Sequence, residues 1–231
     1  MRISEIFYSI QGEGALTGVP SVFVRTSGCN LRCAWCDTPY ASWNPEGPDL
    51  SVEDVMKQVL EFQSRFVVIT GGEPMIARGV HALAAAIREA GLHITIETAG
   101  TVAPNGIPCD LASVSPKLAN STPKPDTIEN AWIERHETTR LQPEVIRAWI
   151  EAGEYQLKFV VSELSDLQEI QSLIELIGGD ILPHRIQIMP EGTNADVLLR
   201  RQQQWVDVCK SYGYRLNHRL HVDLFGNTRG T

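Results

Sequence analysis

Apolar positions along this chain follow two alternating patterns. Short apolar runs at residues 5–10, 21–25, 66–70, 93–97, 110–114, 156–161 and 185–189 read as strands. Between them lie stretches with helical spacing. Val52, Val55, Met56, Val59 and Leu60 recur at that spacing behind Ser51, an N-cap candidate with Asp54 three residues on. A helix over 77–90 stops at Gly91. Leu167, Ile170, Leu173, Ile174 and Ile177 form one apolar face that ends at Gly178-Gly179, and residues 195–212 read as a last long helix before a short apolar tail. The pattern fails over 119–141, where Pro123, Pro125 and many polar residues read as a surface insertion within a single domain spanning 1–231.

Strand–helix alternation implies right-handed βαβ units and a parallel sheet. About six strands are too few for an eight-stranded closure, so the expected fold is α/β, a partial barrel. Its unusual polar segments fall where strands end, at 70–74, 97–100, 115–117 and 190–193. Sites in such folds gather at the C-terminal strand ends, so these segments predict one shared mouth.

Composition narrows the function. The 231 residues are 43% hydrophobic and 21% charged, which excludes a disordered or fibrous chain. A formal charge of −8 disfavours binding to nucleic acid or to an anionic membrane through phosphate neutralisation. No apolar run approaches the ~20 residues of a membrane span, and the start lacks a signal-peptide pattern, so the expected location is cytoplasmic.

The five cysteines carry the clearest chemistry: Cys29, Cys33 and Cys36 crowd together as CxxxCxxC, whereas Cys109 and Cys209 stand alone. A structural zinc wants four Cys or His ligands, and the nearest histidine, His81, is far along the chain. A redox pair would need only Cys33 and Cys36. A 4Fe–4S cluster normally takes four thiolates, so three leave one iron open to a small molecule. The spacing favours the cluster over zinc, and zinc over inert thiols. Cys209, four residues after Trp205, reads as a core residue on a helix face.

The triplet, with Trp35 before its last cysteine and Thr70-Gly71-Gly72-Glu73-Pro74 at a strand end, resembles the radical S-adenosylmethionine (SAM) superfamily. Ile10-Gln11-Gly12-Glu13-Gly14, Phe23-Val24-Arg25, Gly28-Cys29-Asn30-Leu31, Cys36-Asp37-Thr38, Ile96-Glu97-Thr98 and Ser115-Pro116-Lys117 together resemble the 7-carboxy-7-deazaguanine synthase family within it. The resemblance implies ring contraction of 6-carboxy-5,6,7,8-tetrahydropterin with loss of ammonia, on the way to queuosine-type deazapurines. A flavodoxin-like donor would reduce the cluster, SAM would yield a 5′-deoxyadenosyl radical that takes a hydrogen from C6 of the pterin, and the hydrogen would later return. Mg²⁺ and a homodimer are also implied.

Roles follow by motif. The resemblance assigns the cluster to Cys29, Cys33 and Cys36, and Mg²⁺ to the Thr38 hydroxyl. SAM contacts fall to Trp35, Asp37, Gly72, Glu73, Ser115, Pro116, Lys117, Gln187 and Met189. Substrate contacts fall to Ile10, Gln11, Gly12, Glu13, Arg25, Thr70, Glu97 and His221, and to Thr231 if the tail folds back. Arg25 has the planar fork that suits a carboxylate. Rival readings are another radical SAM enzyme, such as an activating enzyme for glycyl-radical proteins, and a zinc-stabilised binding module.

Overall fold

Residues 1–231 are described by a computed structural model. Its central strands owe their place to a strict alternation of side chains. In β3 (Phe66–Gly71) Val67 and Ile69 face one side while Val68 and Thr70 face the other. The same alternation sets Ile94 and Ile96 against Thr95 and Glu97 in β4 (His93–Thr98), and Leu157, Phe159 and Val161 against Gln156 and Lys158 in β6 (Tyr155–Val161). The aliphatic set joins a core cluster of 30 buried residues under the helices. Each such side chain contributes about 1.5–3 kcal/mol by leaving water. The polar set lines the opposite, concave face.

One sheet results, in the order β1-β2-β3-β4-β5-β6-β7-β8. From β2 (Pro20–Thr26) through β3, β4, β5 (Leu111–Val114), β6, β7 (Ile186–Pro190) and the two-residue β8 (Arg215–Leu216) every pairing is parallel. The first strand, β1 (Ile3–Ile10), runs antiparallel to β2. No helix intervenes between them, so the chain can only return antiparallel. The sheet stays open, as a partial barrel. Its two ends are tied by the Leu220 N–H to the Gly12 carbonyl at 2.9 Å and the Gly14 N–H to Asn217 Oδ1 at 3.0 Å.

The helices pack outside. Ser51 caps α1 (Val52–Glu61), accepting from the Asp54 N–H at 3.0 Å. The helix expected over 77–90 is present as α2 (Val80–Glu89), which starts after Gly79 at φ +89°, and a separate single turn, Pro74–Ile76, precedes it. Segment 119–141 holds a short turn, Ala119–Ser121, and α3 (Asn130–Thr139). Most of its side chains meet solvent, yet Ser121 and His136 are completely buried. A further helix beyond those expected, α4 (Pro143–Ala152), follows; Pro143 opens it and Ile146 and Trp149 anchor it in the core. Then follow α5 (Asp166–Ile177), α6 (Ala195–Tyr212) and, in the apolar tail, α7 (Leu220–Phe225). No helix is long and apolar enough to cross a membrane.

Candidate active site

The C-terminal ends of β2, β3, β4, β5 and β7 open onto a cavity of about 510 Å³. Each of the polar segments expected at the mouth contributes to its wall: Thr70 and Gly72, Glu97 to Ala99, Ser115 and Lys117, and Pro190 to Thr193. The cysteine loop after β2 closes one side, and the C-terminal residues Asn227 to Thr231 reach another.

Cys29, Cys33 and Cys36 all line this cavity, and Cys109 and Cys209 do not. The loop is held by its neighbours rather than by regular structure. Trp43 Nε1 donates to the Cys33 carbonyl at 3.1 Å, the Ala34 N–H to Ser121 O at 2.8 Å, and Trp35 Nε1 to Asn120 Oδ1 at 3.1 Å. Cys36 Sγ lies 3.0 Å from Ser42 Oγ and 3.8 Å from Thr38 Oγ1. Burial pushes the Cys29 thiol up to about 11 and Cys33 to about 12, so a bound cation must stabilise their thiolates. No three Cys, His, Asp or Glu groups gather closely enough to hold one metal ion. A single zinc needs sulfurs about 3.8 Å apart, from Zn–S bonds of about 2.3 Å in a tetrahedron. The three thiols, Cys33 buried and Cys29 and Cys36 half-buried, line one cavity and supply the soft thiolate donors that an iron–sulfur cluster takes.

The floor is a buried ionic chain. Glu97 Oε2 accepts from Thr70 Oγ1 at 2.9 Å and its Oε1 from Gln11 Nε2 at 3.2 Å. Lys158 Nζ lies 3.9 Å from Glu97 and 2.5 Å from Glu13 Oε2. Arg219 completes the chain, with Nε 2.9 Å from Glu13 Oε1, Nη2 on Asp37 and Nη1 on the Gly192 carbonyl. Burial would raise the Glu13 carboxyl, but Lys158 and Arg219 outweigh it and hold it well below the usual carboxylate range. For Lys158 burial works downward, and Glu13 with Glu97 overrides it, so the ammonium stays charged. Sequence reasoning missed Lys158 and Arg219. The available signal was parity: Lys158 and Gln156 are polar at alternate positions of β6, opposite Leu157, Phe159 and Val161.

Other expected residues sit on the same wall. Arg25 uses only Nε, bonded to Glu5 Oε1 at 2.6 Å, and its terminal nitrogens have no protein partner. His221 lies over Gly12, where a Cβ would come within 1.9 Å of its Nδ1. Lys117 folds over its own segment, donating to Ser115 O and Oγ at 2.8 Å each. Ile10, Met189 and Thr231 line the cavity as well.

Glu73, Pro116 and Gln187 do not line it. Glu73 is fully buried, and its oxygens accept from the Met75 N–H at 3.1 Å, Thr98 Oγ1 at 2.8 Å and the Ala99 N–H at 2.8 Å. Those bonds clamp the β3 turn to the end of β4 and hold the Glu73 carboxylate behind the cavity wall. Gln187 is buried lower in the barrel, with Nε2 donating to Gln156 Oε1 at 2.8 Å and Oε1 without a partner. Pro116 is buried behind Ser115.

Gly72 shows why the turn after β3 needs glycine. A Cβ there would stand 2.2 Å from the carbonyl of Gly28 and 2.7 Å from that of Ala41. Both contacts are backbone of the cysteine loop, so Gly72→Ala must push that loop away. We expect destabilisation of about 1–3 kcal/mol, seen as a lower Tm, together with reduced iron incorporation. A variant with unchanged Tm and iron content would show that the loop yields freely.

Comparison with known proteins agrees with this architecture. A sequence profile described as the radical SAM superfamily matches residues 23–114. A 7-carboxy-7-deazaguanine synthase of Rhodopirellula baltica is 45% identical over 100% of this chain and 89% of its own. One from Halobacterium salinarum is 42% identical over 100% of this chain and 93% of its own. The crystal structure of QueE from Escherichia coli superposes with a TM-score of 0.69 at 26% identity, covering 95% of this chain and 94% of that one. With full-length relatives at this identity, and with the cysteine loop and the β3 turn on one cavity, the chain belongs to the 7-carboxy-7-deazaguanine synthase family of the radical SAM superfamily.

Proposed function

We propose that this chain converts 6-carboxy-5,6,7,8-tetrahydropterin to 7-carboxy-7-deazaguanine, releasing ammonia. One observation carries the reading: the cavity that holds the three thiols also holds Arg25's unpartnered fork and the Gln11–Glu13 turn. Cys29, Cys33 and Cys36 hold a 4Fe–4S cluster. When bound, that cluster and SAM supply the radical that abstracts hydrogen from the pterin, after reduction by an external one-electron carrier.

The chain's own groups bind and orient. Trp35, Asp37, Gly72, Ser115, Lys117 and Met189 border SAM. The two free terminal nitrogens of Arg25 grip the pterin carboxylate as a fork. Gln11, Glu13 and the backbone of Ile10 and Gly12 pair with the ring's donor–acceptor edge, while Thr70, Glu97 and His221 face its body. Glu13 stays ionised, so it accepts and never donates along that edge.

The test compares binding of the carboxytetrahydropterin with the pterin lacking the carboxylate, using anaerobically reconstituted protein with SAM. Strong preference for the carboxylated ring supports the reading; equal affinity contradicts it. Arg25→Lys should weaken substrate binding at least about tenfold and leave SAM binding unchanged, because an ammonium loses the two-donor geometry. Unchanged affinity would return Arg25 to a purely structural pair with Glu5.

Mg²⁺ enters at Thr38. A hydroxyl is a neutral, weak ligand, so an ion at Thr38 would take most of its ligands from substrate oxygens and water. Thr38→Ala should keep iron content and SAM binding and lose the stimulation by added Mg²⁺, whereas Thr38→Ser should retain it. Product formation at graded Mg²⁺ decides this; identical dependence in wild type and Thr38→Ala removes the residue from the metal site.

A further inference from the structure

Arg32 and Arg135 carry charge that no carboxylate answers. Arg32 lies inside the cysteine triplet and Arg135 on α3, and their guanidinium carbons stand 4.0 and 4.8 Å from the ring centroid of Trp132. Two cations are therefore stacked on one indole. Neither lies within ion-pair distance of an acidic group. Arg135 is exposed, and Trp132 and Arg32 are half-buried. Trp132 and Arg135 are three residues apart and share a face of α3, whereas Glu134 points away from it.

This patch is fastened to the cysteine loop. Arg32 Nη1 donates to the carbonyl of Cys29 at 2.9 Å and to that of Leu31 at 2.8 Å. The Arg32 N–H donates to Nδ1 of His136, whose Nε2 is 3.0 Å from Ser121 Oγ. The Ser121 hydroxyl is spent on the Leu118 carbonyl at 2.6 Å, so Nε2–H is the donor and the imidazole is neutral. Burial holds that ring's protonation down to about 4. The neutral ring therefore keeps both hydrogen bonds of this clamp at neutral pH.

We propose that Arg32, Trp132 and Arg135 form the docking surface for an acidic one-electron carrier protein. The proposal rests on the reading of the three thiols as cluster ligands. On that reading the carrier is oxidised by one electron and the centre at Cys29, Cys33 and Cys36 is reduced by one, with no bond made or broken. A chain of net charge −8 repels an acidic partner overall, so productive approach requires a local cationic patch. Here the patch is joined to the Cys29 backbone through one hydrogen bond.

The probe is an acidic flavodoxin in its hydroquinone form, with dithionite as a small reductant that needs no docking. Arg135→Glu is the main variant, since that side chain makes no hydrogen bond; Arg200→Glu, on α6, controls for general charge. Flavodoxin binding to the reconstituted protein is measured at low and high salt, and cluster reduction is followed by absorbance. Arg135→Glu should weaken binding and slow reduction by flavodoxin about tenfold or more at low salt, less at high salt. Its reduction by dithionite should match wild type. Unchanged flavodoxin binding, an equal effect in Arg200→Glu, or an equal slowing with dithionite each overturns the docking surface. Failure of wild type to form product with dithionite would instead overturn the proposed function, whatever flavodoxin does.

Discussion

Replacing Cys29, Cys33 or Cys36 with alanine, one at a time, should leave a colourless protein that binds background iron and cleaves no SAM. Each thiol lines the same cavity, no other cysteine does, and the one histidine there, His221, sits over Gly12 rather than in the cysteine loop. The loop is anchored by backbone and tryptophan hydrogen bonds that do not involve the sulfurs, so the fold should persist. Losing one thiolate of three removes the site rather than weakening it. Cys209→Ala is the contrast: it sits on α6 in the core and should keep full iron while losing modest stability through a small cavity. Iron per protein and Tm for the four variants separate these outcomes. Wild-type iron in any of the first three would remove that residue from the ligand set.

Arg219→Leu should produce the largest loss of stability outside the hydrophobic core. This one guanidinium joins Glu13 of the β1–β2 loop, Asp37 of the cysteine loop and the Gly192 carbonyl after β7. Without it Glu13 keeps only Lys158, and Asp37, partly exposed, has no cation in contact and is left to solvent. The loss is therefore about 2–3 kcal/mol, less than for a fully buried pair. The pH dependence follows from the same groups. Glu13 and Asp37 are both held below their ordinary range, so their contribution is complete above about pH 4–5 and is lost as pH falls through the folded values. Wild type should therefore lose stability progressively below about pH 4, and the variant should show less of that acid-dependent loss because much of it is already gone at neutral pH. Denaturant midpoints across pH 3–7 test this; parallel curves for the two proteins would contradict the coupling.

What could be read from the sequence depended on how local the signal was. CxxxCxxC and the Thr70–Pro74 turn are contiguous, and their chemistry is written in adjacent residues. Strand positions were legible because β-branched runs end in glycine or polar turns. Partners distant in sequence were not legible. Lys158 and Glu13 meet across 145 residues and Arg219 and Glu13 across 206, so no window contains either pair. His136 looked like part of a polar surface stretch, yet it supports Arg32 in the cysteine loop. Glu73, a motif residue in the Thr70–Pro74 turn, accepts from Thr98 and Ala99 at the end of β4, a pairing that no local window contains. The first strand was legible at 5–10, but its antiparallel direction was not, because alternation of strands and helices begins only after β2.

The most direct measurement is anaerobic turnover. Protein reconstituted with iron and sulfide is incubated with dithionite, Mg²⁺, SAM and 6-carboxy-5,6,7,8-tetrahydropterin, and 7-carboxy-7-deazaguanine, ammonia and remaining SAM are quantified. The account predicts one ammonia per deazaguanine and many turnovers per SAM consumed, since the abstracted hydrogen returns. A brown, fully loaded protein that cleaves SAM yet forms no deazaguanine would contradict it.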